Sequence, residues 1–176
     1  MKYSMLLVSI VFAAACGPRV DLSKDIVLTP VTTGWADGGT VAGKNRIVPA
    51  MTFRLTNASR QPLGSVQVNA VFKRGTDSTE WTTGYVPNAS RQLAPGAETE
   101  PLVAKGLQGY TGTDERDALL RNSRFVDAKV ELFVKSGGSG WTRVGEFPIA
   151  RQLMSEPPPP RSRTTADARR DRGSAT

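Results

Sequence analysis

Met51-Thr-Phe-Arg-Leu-Thr-Asn57 and Val66-Gln-Val-Asn-Ala-Val-Phe72 decide the fold class of this chain. In the first stretch Met51, Phe53 and Leu55 fall on one side of an extended backbone, and Thr52, Arg54 and Thr56 on the other. In the second, Val66, Val68, Ala70 and Phe72 alternate with Gln67, Asn69 and Lys73. A period of two marks a strand with one face buried. Between them Asn57-Ala-Ser-Arg-Gln-Pro-Leu-Gly64 has turn chemistry throughout.

The same grammar extends in both directions. Ile26 to Thr33 is β-branched and apolar up to Gly34, and the glycine-rich Trp35 to Asn45 reads as a long loop. Downstream, Arg74-Gly-Thr-Asp77 turns into a Thr- and aromatic-rich strand from Ser78 to Val86. Leu93-Ala-Pro-Gly96 turns into an extended segment from Glu98 to Leu107. From Thr113 to Asn122, a capping threonine, early acids and a late arginine predict two turns of helix. Phe125 to Lys135 alternates again, with Val126, Ala128, Val130, Leu132 and Val134 on one side. Ser136-Gly-Gly-Ser-Gly140 is a hairpin loop, and Trp141 to Leu153 is a last strand that Pro148 places at an edge or a bulge. About seven strands with frequent turns predict an all-β, antiparallel β-sandwich, immunoglobulin-like, over residues 25–154, with one short crossover helix near 113–122.

Both ends differ from this body. Residues 1–15 combine Lys2, an apolar run from Met5 to Phe12, and Ala13-Ala-Ala15; the only cysteine, Cys16, follows. A charged start, a short apolar stretch and small residues describe an export signal too short to span a bilayer. An ordinary secretory signal with an incidental cysteine is the plainer alternative. The segment resembles the lipobox of bacterial lipoproteins, although Ala13 stands where that family more often has Leu. The resemblance implies cleavage before Cys16, a diacylglyceryl (and palmitate-type acyl) anchor on its thiol, and a cell-envelope location. Gly17, rather than the Asp that retains such proteins at the inner membrane, implies the outer membrane facing the periplasm. Two or more acyl chains hold a protein stably, at about 0.8 kcal/mol per buried methylene. Residues 16–24 would be a lipidated tether reaching about 15 Å. At the other end, residues 155–176 contain Pro157 to Pro160 and five arginines but nothing large and apolar, which predicts a disordered tail.

The body also carries a resemblance. Phe53-Arg-Leu-Thr-Asn57-Ala-Ser59, Val66 to Phe72, and Leu93-Ala-Pro-Gly96-Ala-Glu-Thr99 are similar to the layout of FxLYD-type immunoglobulin-like modules of exported bacterial proteins. The Phe-x-Leu-Tyr-Asp run that names that family is missing. The likeness implies architecture alone, since a fold does not carry function by itself. In such a layout the Asn57 and Ser59 side chains can bond the turn backbone, and Gly96 can supply a positive φ.

Composition narrows the chemistry. The chain has no histidine and one cysteine, so zinc, haem and Ser–His–Asp or Cys–His mechanisms lack their residues, and no cofactor or metal is expected. No phosphate loop is present: the glycines of 34–43 lack the Gly-Lys-Ser/Thr ending. Asp114, Glu115 and Asp117 cluster, but as helix-start acids rather than in calcium-loop spacing. A carboxylate enzyme built on Asp37, Glu80 or Asp114 is the alternative to a non-enzymatic reading, and nothing in the sequence pairs these residues. The charge of +7 favours an anionic surface, and for an exported chain an envelope lipid or glycan rather than nucleic acid. Trp35, Trp81, Tyr85, Tyr110 and Trp141 are the candidates for stacking on a sugar or anchoring a protein partner; membership of the core or the sheet surface competes for Trp81 and Trp141. Arg161, Arg163, Arg169, Arg170 and Arg172 are either a solvated spacer or a clamp for an anionic polymer. The expectation is a membrane-anchored, non-catalytic binding or assembly module for a protein or glycan partner.

Overall fold

A computed structural model of the chain describes residues 20–155 except Thr76 and Ser78. The leader, Cys16 and the tail arginines Arg161, Arg163, Arg169, Arg170 and Arg172 lie outside the described residues.

The described chain runs α1 (Leu22–Asp25), β1 (Ile26–Leu28), β2 (Thr32–Val41), β3 (Lys44–Phe53), β4 (Leu55–Asn57), β5 (Leu63–Arg74), β6 (Thr82–Leu93), β7 (Leu102–Lys105), β8 (Tyr110–Gly112), α2 (Arg116–Leu120), β9 (Ala128–Ser136) and β10 (Thr142–Pro148). One sheet has the order β10-β9-β5-β6. The other has the order β2-β3-β7, with β8 beside β7 on the same flank of β3, and β1 pairs β4 as a short ribbon. Every ladder is antiparallel. The protein is an all-β sandwich with a short helix crossing from one sheet to the other.

The two stretches that open the sequence reading supply facing halves of the core. Met51, Phe53 and Leu55 are fully buried from one side; Val66, Val68, Ala70 and Phe72 are fully buried from the other, with Val130, Leu132 and Val134 beside them. Burying each Val, Leu or Phe side chain is worth roughly 1.5–3 kcal/mol. Val126 departs from its expected alternation and is exposed, because β9 starts only at Ala128.

Asn57 is a polar residue with no exposure, and its bonding explains why. Its Nδ2 donates to the carbonyls of Gln61 and Leu93 at 2.8 and 2.9 Å, and its Oδ1 accepts from the Ser59 amide and hydroxyl. Its backbone N–H donates to Ala97 O, and Gly96, at φ +74°, donates back to Asn57 O. The Asn-x-Ser turn and the Leu-x-Pro-Gly turn are thus one interlocked corner, in which a buried amide is fully satisfied.

Several segments differ from expectation: the strand expected from Ser78 to Val86 is β6, shifted to Thr82–Leu93, and the last strand ends at Pro148 rather than Leu153. The stretch from Trp35 to Asn45 is a β-hairpin rather than a long loop: β2 and β3 are joined by Ala42 and Gly43 at φ +49° and +73°. Two consecutive positive φ values make the primed turn that suits the right-handed twist of paired strands. The helix is confined to Arg116–Leu120, and Glu115, not Thr113, sits at its N-cap without a side-chain bond. The packed body begins before Asp25. Leu22 is buried, Val20 packs on the core, and Asp21 caps α1 by accepting from Ser23 N.

The chain after β10 straps the open side of β2. Trp35 N donates to Gln152 O at 2.8 Å, and Met154 N donates to Trp35 O at 2.9 Å, a short parallel pairing. Gly34 makes room for it, since a Cβ there would sit 2.7 Å from the Met154 side chain.

Candidate functional site

The outer face of the β10-β9-β5-β6 sheet is built by the alternation that fills the core. With Val66, Val68, Val130, Leu132 and Val134 fully buried, the intervening Gln67, Asn69, Lys73, Glu131, Phe133 and Lys135 face out. Register then sets which of them are neighbours: Gln67 lies opposite Lys135, and Asn69 lies between Tyr85 and Phe133. Arg143 extends that row from β10.

Two regions make up this face. At one end Tyr85 and Trp141, 56% and 43% exposed, meet edge to face with ring centroids 6.2 Å apart. The Tyr85 hydroxyl donates to Gln67 Oε1 at 2.6 Å, which fixes the ring, and Lys135 Nζ lies 5.2 Å from the Trp141 ring centre. Towards the other end runs an ion-pair network. Lys73 Nζ donates to Glu131 Oε2 at 2.8 Å, Arg143 lies between Glu131 and Glu146, and Lys129 reaches Glu146 at 3.5 Å. The Lys73 bond, aided by Arg143 and Lys129, holds the Glu131 carboxyl below its ordinary value.

The remaining aromatics do other work. Trp35 has no exposure and is corrected to a core residue: it contacts Trp81, Tyr110 and Phe125 with centroids 4.8–6.1 Å apart. Trp81 is half-buried against that cluster and capped by the Arg74 guanidinium. Of the expected recognition residues, the structure brings together Tyr85 and Trp141 and sets Trp35 and Trp81 apart from them. Lys135, Gln67 and Asn69 belong beside the exposed pair and were not singled out from sequence. The outward phase of β5 and β9 was readable, but their adjacency to Tyr85 depends on long-range pairing.

The three carboxylates of the enzymatic alternative are all exposed. Asp37 accepts from Gly39 N and pairs with Arg116 Nε at 2.8 Å, and these contacts hold its carboxyl below the usual range. Asp114 offers its carbonyl to Asn45 Nδ2. Among the described residues no three Asp, Glu, His or Cys side chains gather as a metal site requires, and no helix is long and apolar enough to cross a membrane. A cleft of about 220 Å³ lies over Ala36, Ala50 and Val103 beneath Met154. Pockets for drug-sized ligands run from roughly 300 Å³ upward, so the cleft is small by that measure. No protein-family model matches this chain, and no curated protein shows significant similarity to it.

Proposed function

We propose that this protein is a lipid-anchored, non-catalytic recognition module of the bacterial cell envelope, displayed from the outer membrane by an acylated Cys16. Its recognition surface is the outer face of the β10-β9-β5-β6 sheet. The observation that carries the reading is the exposed Tyr85–Trp141 pair, ordered by Gln67 and flanked by Lys135. Large aromatics left in water on a rigid sheet supply contact area at little entropic cost. The anchor is argued from the Ala-Ala-Ala-Cys16 junction. Val20 already packs on the core, and the four residues from Cys16 to Arg19 span at most about 14 Å when fully extended. A lipid on Cys16 would therefore hold the sandwich against the membrane surface.

The test has two arms. Full-length protein made in a two-membrane bacterium fed an alkynyl fatty acid should take up the label and fractionate with the outer membrane, while Cys16→Ser does neither. An unlabelled wild type overturns the anchor. Isolated envelope, containing membranes and cell wall, should retain purified Cys16→Ser protein, which has no thiol to acylate, and release Cys16→Ser/Tyr85→Ala/Trp141→Ala. Equal retention of both overturns the recognition face.

A further inference from the structure

Resting on the reading of that sheet face as the recognition surface, we infer that its ligand is a carboxylated sugar, such as a uronic acid unit of a glycan. Gln67 and Lys135 are direct cross-strand partners facing outward, so an amide donor and an ammonium stand side by side. The Tyr85 hydroxyl occupies Gln67 Oε1, which fixes the amide and leaves its NH₂ to donate. Two adjacent donors, one of them charged, match the two oxygens of a carboxylate.

Charge complementarity supports the sign of the ligand. Outward positions of β5, β9 and β10 hold four cations, Lys73, Lys129, Lys135 and Arg143, against two carboxylates, Glu131 and Glu146. The carboxylates are taken up by Lys73, Lys129 and Arg143. Among the described residues Lys135 has no carboxylate partner; its contact is the Trp141 ring. The unspent positive charge therefore lies beside the aromatic pair.

The neighbours fit a sugar ring better than a peptide. The Tyr85 ring offers an exposed apolar face, and the Asn69 side-chain amide lies next to it, between Tyr85 and Phe133. An amide both donates and accepts, as adjacent sugar hydroxyls require. A stable protein interface needs about 800 Å² per partner with an apolar centre, whereas here the ion-pair network begins with Arg143 in the same cross-strand row as Tyr85.

The probe is a short oligogalacturonate, compared with its methyl ester, which keeps the sugar backbone and removes the charge. Titrated into the full chain by calorimetry, oligogalacturonate should bind at least ten-fold more tightly than the ester, and more weakly as salt rises. Lys135→Gln should remove that preference. Tyr85→Ala and Trp141→Ala should weaken both ligands ten-fold or more, with melting temperatures near wild type because both rings are exposed; Tyr85→Phe keeps the ring and separates stacking from the hydroxyl. Equal binding of acid and ester, or an unaltered preference in Lys135→Gln, overturns the carboxylate assignment and leaves the recognition face standing. Sugar binding indifferent to Tyr85→Ala and Trp141→Ala overturns the face as well. No binding of either sugar by the folded wild type, or retention only of an acidic peptide, overturns the inference.

Discussion

At the scale of single residues, Ala42 and Asn57 show what the backbone demands. Ala42 holds φ +49° in the β2–β3 turn, a left-handed conformation costing an L-residue with a Cβ roughly 1 kcal/mol. Ala42→Asn should therefore raise stability by about 0.5–1 kcal/mol, read as a higher urea midpoint with unchanged slope. Asn57 works in the opposite sense. Asn57→Ala removes the four bonds of its own side chain, including the one to the buried Leu93 carbonyl. Losing a buried hydrogen-bond partner costs about 1–3 kcal/mol, so denaturation should show a loss of about 3 kcal/mol in all. The turn character of 57–64 was legible from Asn, Ser, Pro and Gly. The hairpin at 42–43 was not, because Ala-Gly replaces the Asn-Gly or Asp-Gly pair that ordinarily announces a primed turn.

At the scale of elements, the outer face of β5 and β9 is tied by Lys73 and Glu131, whose side chains are 15% and 16% exposed. Folding lowers the Glu131 carboxyl below the ordinary glutamate value of 4.5, chiefly through the Lys73 bond. The unfolded carboxyl thus takes up its proton first as pH falls. The pair's stabilisation is fully present above about pH 4.5 and is lost as pH drops through the lowered folded value. Lys73→Met should flatten this contribution, about 1 kcal/mol, in stability curves measured between pH 2 and 6. The strap over β2 is a second element with a measurable role. Truncation after Ala150 deletes its two backbone bonds to Trp35 and should lower stability by about 2 kcal/mol. Truncation after Ser155, which leaves those bonds intact, should change the melting temperature by less than about 2 °C. Sequence reading ran the last strand on to Leu153; it ends at Pro148, and the residues beyond pair instead with the edge that β2 offers, which is ordinarily covered or blunted.

At the scale of the whole molecule, the sandwich gathers side chains from β5, β6, β9 and the residue before β10 onto one face. Residues 67 and 85 become neighbours there of the 135–141 hairpin, across gaps that no sequence window covers. The rings divide by the same logic. Trp35 and Trp81 go inward or to the flank with Tyr110 and Phe125, while Tyr85 and Trp141 stay in water. Both groups are amphipathic aromatics beside polar residues, so composition treats them alike.

What the sequence determined by itself was local: which face of each strand is apolar, and where Asn57 and Gly96 force turns. Strand periodicity and turn chemistry act over a few residues and can be read there. Tertiary structure alone decided that the glycine-rich stretch pairs as a hairpin, that Trp35 is core, and that Tyr85 and Trp141 share a face with Lys135. Those outcomes depend on pairings between strands far apart in the chain, where register rather than residue type chooses the neighbours.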